Sequence, residues 1–100
     1  MKTARTEPLI PDELKSQYCV AGISFLTTEL DTALTFAQVA LGTKNNPAKK
    51  IRNRSNARKA YDTAVAMSRY LQITEADVQK LEPKRCAAQR ALEGLGESFS

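Results

Sequence analysis

A chain of 100 residues with 42% apolar and 26% charged side chains fits one small globular domain, which at this length hides only about 60–65% of the surface its unfolded form exposes. The net charge is +4 and histidine is absent, so the commonest general base and metal ligand is missing, and with it Ser-His-Asp catalysis, Cys-His catalysis and Glu-x-x-His di-iron sites. Two cysteines cannot close a tetrahedral zinc site without carboxylates, and the glycines at 22, 42, 94 and 96 form no phosphate loop, so no enzyme activity, metal or cofactor is expected.

Residues 1–11 carry Pro8, Pro11 and no apolar period, which reads as a flexible lead-in that docks at best through Leu9 and Ile10. The stretch has charge but no apolar run of the kind a signal peptide needs, and no segment approaches the roughly 20 apolar residues that span a bilayer. A cytoplasmic protein without membrane insertion is expected. Cys19 and Cys86 are then expected to be buried, reduced thiols, a disulfide between them being the lesser option.

Asp12 stands where an N-cap would, and helix one is expected over about 12–42. Cys19, Ile23, Leu26, Leu30, Ala33, Ala37 and Ala40 follow the alternating four-and-three spacing of one helical stripe. Tyr18, Phe25, Phe36 and Val39 lie well round from it, so the apolar arc exceeds the 100° or so that one buried face requires. Helix one is expected to be covered on two sides. Glu29 projects toward this arc and is expected to pair with a basic or tyrosine side chain or to reach solvent at the helix edge.

Gly42 through Pro47 makes the clearest break, with glycine placed as a C-cap and Asn46-Pro47 as N-cap and first helical residue. So short a turn forces helix two, expected over about 47–71, to return antiparallel to helix one. Its apolar positions Ala57, Ala60, Tyr61, Ala64, Met67 and Leu71 form a face only in the second half. Ala57, Tyr61 and Ala64 resemble the small-aromatic-small spacing in the second helix of a tetratricopeptide repeat. Leu41, Lys44 and Asn45 stand where that repeat's first helix carries its aromatic, leucine and glycine, so neither the family nor its peptide binding carries over. A match of Asp31-Thr32-Ala33 to Asp62-Thr63-Ala64 at an offset of 31 extends too little to mark a duplication.

Thr74 followed by Glu75 and Asp77 supplies an N-cap with acids in the first turn, starting helix three over about 75–93. Val78, Leu81, Ala88, Leu92 and Leu95 make its apolar stripe, Gly94 or Gly96 can end it, and Pro83 kinks it or divides it near Glu82. Residues 97–100 read as a tail. The expected fold is an all-α, antiparallel up-down-up three-helix bundle over 12–96 with the third helix shortest. At 1.5 Å per residue that helix falls about 8–15 Å short of the others, which leaves Val39, Ala40 and Leu41 exposed near the 42–47 turn unless Leu95 and Phe99 or a second subunit cover them.

Charge is distributed unevenly. Lys44, Lys49, Lys50, Arg52, Arg54, Arg58 and Lys59 occur within sixteen residues that hold no acid, so that segment carries +7 and the rest of the chain −3. Cations in the first half of a helix oppose its dipole by a few tenths to about 1 kcal/mol each. The first functional expectation is a small interaction module that self-associates or docks a partner protein through the surplus apolar face of helix one, with Val39, Ala40 and Leu41 as docking residues. The second is nucleic-acid or polyanion binding through the seven cations, by backbone contact, since no aromatic residue interleaves them to stack on bases. No small-molecule substrate is implied.

Overall fold

The computed structural model describes the backbone of residues 12–71 and 73–99 and the side chains of 22–71 and 73–99. Expectations for the 1–11 lead-in, for the Asp12 cap and for Tyr18 and Cys19 as packing groups lie outside the described residues or side chains. Three helices follow in chain order, α1 (Asp12–Gly42), α2 (Pro47–Ser68) and α3 (Glu75–Gly94), and the bundle is all-α as expected. α1 packs against both other helices, whereas α2 and α3 touch each other only lightly. α1 is thus covered from two sides within the chain.

The stripe read from the sequence is the core. Leu26, Leu30, Ala33, Ala37 and Ala40 of α1 are buried with Ala57, Ala60, Tyr61 and Ala64 of α2, and with Leu81, Ala88, Leu92 and Leu95 from α3 and its C-cap. Seven of these thirteen are alanine, so the helices interlock through small side chains and only a few large ones fill the space between them. Phe36 packs partly against this core, while Phe25 and Val39 from the same flank of α1 stay exposed.

Asn46 caps α2 by accepting from the Lys49 backbone N–H at 3.0 Å, with Pro47 at the first helical position. The helix ends at Ser68, three residues earlier than the expected 71. Arg69, Tyr70 and Leu71 instead make a turn whose backbone N–H groups donate back to the carbonyls of Ala66 and Met67, which satisfies the last carbonyls while freeing the chain to cross to α3. Thr74 and Asp77 cap α3 reciprocally: Asp77 N–H donates to Thr74 Oγ1 at 3.1 Å and Thr74 N–H to Asp77 Oδ2 at 3.3 Å.

α3 runs unbroken through Pro83, so of the two alternatives, a kink there or a division near Glu82, the division is not found. Pro83 removes the N–H that would pair with the Gln79 carbonyl, but both residues are exposed, so water can take the freed acceptor.

The shortfall of α3 also differs from the expectation. α2 has 22 residues and α3 has 20, a difference of only about 3 Å. A Cβ on Gly94 would lie 3.6 Å from Leu41 Cδ2, so α3 reaches the end of α1 at the 42–47 turn. Ala40 there is fully buried, while Val39 and Leu41 are each 39% exposed. The overhang lies at the other end, where Gly22 sits beneath the Leu71 side chain and residues 12–21 of the 31-residue α1 continue past the 69–71 turn.

Candidate anion-binding surface

The seven cations divide into two groups. Lys44 in the connecting loop and Lys49, Lys50, Arg52 and Lys59 on α2 are exposed, and none forms an ion pair with a described residue. Arg52 and Lys59 lie seven residues apart, hence nearly in line on the side of α2 that faces away from Ala57, Ala60 and Ala64. Lys49 and Lys50 flank the first turn, which contains no acid. Their ammonium groups therefore sit at the positive end of the helix dipole without a compensating carboxylate.

Arg54 and Arg58, on the flank of α2 that faces the end of α3, are half-buried and engaged. Arg54 Nε donates to Glu97 Oε2, and Arg58 Nη1 donates to Glu97 Oε1 and to the Ser98 carbonyl, both at 3.0 Å. Arg58 Nε reaches both Asp62 carboxylate oxygens at 3.0 and 3.1 Å. The Arg58 guanidinium also lies 4.3 Å over the Phe99 ring, and that ring meets Tyr61 edge-on at 5.0 Å between centroids. The hydrogen bond from Arg54 holds the Glu97 carboxyl below the usual carboxylate range, against the opposing effect of burial, and Arg58 adds to it. Burial works against the Arg58 charge, but the bonds to Asp62 and Glu97 outweigh it and its pKa is raised.

Local backbone geometry brings Glu97 to this place. Gly96 adopts φ of 95°, its N–H donates to Glu93 O at 2.9 Å and the Glu97 N–H donates to Leu92 O at 3.0 Å, which is the paired bonding of a Schellman turn. The left-handed residue reverses the chain at the end of α3 and sends residues 97–99 back across α2. Ile51, Arg54, Ser55, Arg58, Lys59 and Glu97 then border an open hollow of about 370 Å³, in which Ile51 is 67% exposed.

Other candidates fall elsewhere. Val39, Ala40 and Leu41 do not form one patch: Ala40 points into the core, and Val39 and Leu41 leave the helix on widely separated sides. The exposed large apolar residues, Phe25, Val39, Leu41, Ile51, Met67, Tyr70 and Val78, come from all three helices and the 69–71 turn. Glu29 is half-buried with no ion pair to a described residue, which matches the solvent-edge alternative.

An apolar hollow of about 200 Å³ lies near the 69–74 link, lined by Leu26, Leu30, Val65, Ile73 and Leu81 with Arg85 at its edge, far from the basic run. Arg85 is bound there by Glu82 at 2.6 Å and by Tyr61 Oη at 3.1 Å, a polar layer the apolar periodicity gave no hint of. Cys86 carries a free thiol. Among the described residues no cluster of three or more His, Cys, Asp or Glu could hold a metal, and no helix is long and apolar enough to cross a membrane. Comparison with known proteins finds no family model, no curated protein and no solved structure that matches this chain.

Proposed function

We propose that this protein is a small interaction module, without catalytic activity of its own, that binds the phosphate backbone of nucleic acid through the 42–47 turn and the exposed cations of the first half of α2. The observation that carries the reading is the set of five exposed cations, Lys44, Lys49, Lys50, Arg52 and Lys59, without an ion-pair partner among the described residues, of which Lys44, Lys49 and Lys50 lie next to a helix N-terminus that favours acids. Such a surface costs folding stability and supplies a sequence-independent electrostatic footprint. Much of the apolar arc of α1, which favoured docking of a second protein, packs against α2 and α3, while Phe25 and Val39 of that arc stay exposed.

The test is anisotropy of labelled 20-nucleotide single- and double-stranded DNA against the purified chain between about 50 and 200 mM salt. Five free cations set a limiting slope of log K against log salt near −4.5 for duplex and −3.5 for single strands. Lys49→Glu, Arg52→Glu and Lys59→Glu together should abolish binding. Lys49→Glu places an acid in the first turn of α2, where it adds up to about 1 kcal/mol of stability, so lost binding in a protein at least as stable as wild type separates function from folding. Absence of binding at 50 mM salt would overturn the reading.

A second reading, self-association, rests on Phe25 and Val39, 41% and 39% exposed and fourteen residues apart on one strip of α1. Sedimentation equilibrium of the wild type and of Phe25→Ser tests it, and a monomer at 100 μM or so removes it.

A further inference from the structure

Glu97 occupies the two inner cations of the basic cluster in the way an anionic ligand would. Its two oxygens accept separately from Arg54 and Arg58, the Ser98 carbonyl takes a second bond from Arg58, and the Phe99 ring stacks against the same guanidinium. Paired acceptor oxygens on two arginines are the geometry by which a phosphate is recognised. The occupant belongs to a short non-helical segment attached to the bundle through one glycine turn. The hollow beside it is bordered by Lys59 and the Ser55 side chain, a further cation and a hydroxyl donor able to follow a phosphate into the site.

From this we infer that Arg54 and Arg58 form a latent phosphodiester-binding site continuous with the outer basic face, and that the 95–99 segment closes it, Glu97 standing where a backbone phosphate would bind. The inference rests on the reading of α2 as a nucleic-acid surface and adds its regulation. With the segment closed, five cations are available to the ligand; with it open, seven. Ligand and Glu97 compete for the same donors, so the observed affinity is the intrinsic one reduced by the fraction of molecules with the segment open.

The experiment uses the full chain and labelled 20-nucleotide duplex DNA in four proteins: wild type, Glu97→Gln, Phe99→Ala and Glu75→Gln. Glu97→Gln removes the competing charge. Phe99→Ala loosens the segment without changing net charge, and Glu75→Gln, at the far end of α3, reproduces the change in net charge alone. Far-UV circular dichroism confirms that helicity is retained in each.

Opening two further contacts should tighten binding roughly tenfold at 50 mM salt and steepen the salt slope by up to about 1.8. This is expected for Glu97→Gln and, in part, for Phe99→Ala, with Glu75→Gln within about twofold of wild type because its charge lies beyond screening distance. If wild type binds but Glu97→Gln equals Glu75→Gln and Phe99→Ala equals wild type, the closing role of the segment is overturned and the outer basic face stands. If none of the four binds at 50 mM salt, the nucleic-acid reading falls and the latent site with it.

Discussion

Gly94 and Gly96 sit two residues apart and should respond to alanine with opposite signs. Gly96 has φ of 95°, a region that an L-residue enters at about 1–2 kcal/mol, and the two bonds of the turn, from the N–H groups of Gly96 and Glu97, depend on it. Gly94 is the last residue of α3. A Cβ there would meet Leu41 Cδ2 at 3.6 Å, an ordinary contact, so alanine should gain about 0.4–1 kcal/mol by narrowing the unfolded ensemble. Gly96→Ala is therefore expected to fall below wild type and Gly94→Ala to rise above it, with a spread of about 1.5–3 kcal/mol. For a chain of this length that separates their Tm values by at least about 6 °C. Thermal and urea unfolding followed by circular dichroism at pH 7 reads both. Shifts of the same sign, or a neutral Gly96→Ala, would mean that the left-handed turn does not hold in solution, and the placement of Glu97 would lose its cause.

Leu92→Ala should be the most damaging single truncation, because Leu92 is fully buried in a core built largely of alanines that have little side chain with which to fill a void. A loss of about 3–5 kcal/mol is expected in urea titration, a large share of the 5–15 kcal/mol typical of a whole domain; a loss under about 1.5 kcal/mol would show that the site collapses freely. Acid should weaken the fold through two carboxyls: Glu97, lowered first by its bond from Arg54, and Glu82, lowered first by its bond from Arg85. Their folded pKa values lie below the unfolded one of about 4.3, so the stabilisation is complete above that pH and is lost as pH falls through the folded values. The partners are partly exposed, which keeps the effect modest. Tm measured from pH 7 to pH 2.5 should drop less in a Glu82→Gln, Glu97→Gln double variant than in wild type, and equal drops would show that neither pair matters to the fold.

Features written in local order were legible in the sequence. The four-and-three stripe of α1, the Gly42 to Pro47 break and the Thr74–Asp77 cap each depend on residues within a turn or two of one another, and each stands where the sequence placed it. The early end of α2 was hidden because Arg69, Tyr70 and Leu71 include no glycine or proline, and the turn there is imposed by the crossing to α3. Pro83 left a kink and a division both open, and the helix is not divided, because a helix breaker is tolerated where the carbonyl it frees faces water. Of the candidate site, the excess of cations was plain from the sequence. Its division was not, because Glu97 lies 43 and 39 residues from the arginines it binds, and pairs at that range leave no periodic trace. The one local sign was a glycine followed by an acid at the end of a helix.

Stability and affinity should move in opposite directions across this surface, by two independent routes. In the first turn of α2, replacing Lys49 or Lys50 by glutamate removes an unfavourable charge from the positive end of the helix and, on the proposed reading, a phosphate contact, so the fold should gain what the proposed site loses. At the end of α3, Gly96→Ala, Phe99→Ala or Glu97→Gln loosens a segment whose Leu95 is buried and whose Phe99 packs on the core, so the fold loses what the site gains. A surface under selection for folding alone would carry acids in the first turn of α2. This one keeps cations there and binds Arg54 and Arg58 to an internal carboxylate, the arrangement that the proposed binding surface would require against the fold's own preference. A single substitution among these five positions that raised both Tm and affinity for duplex DNA would break that link and, with it, the assignment of α2 as the binding surface.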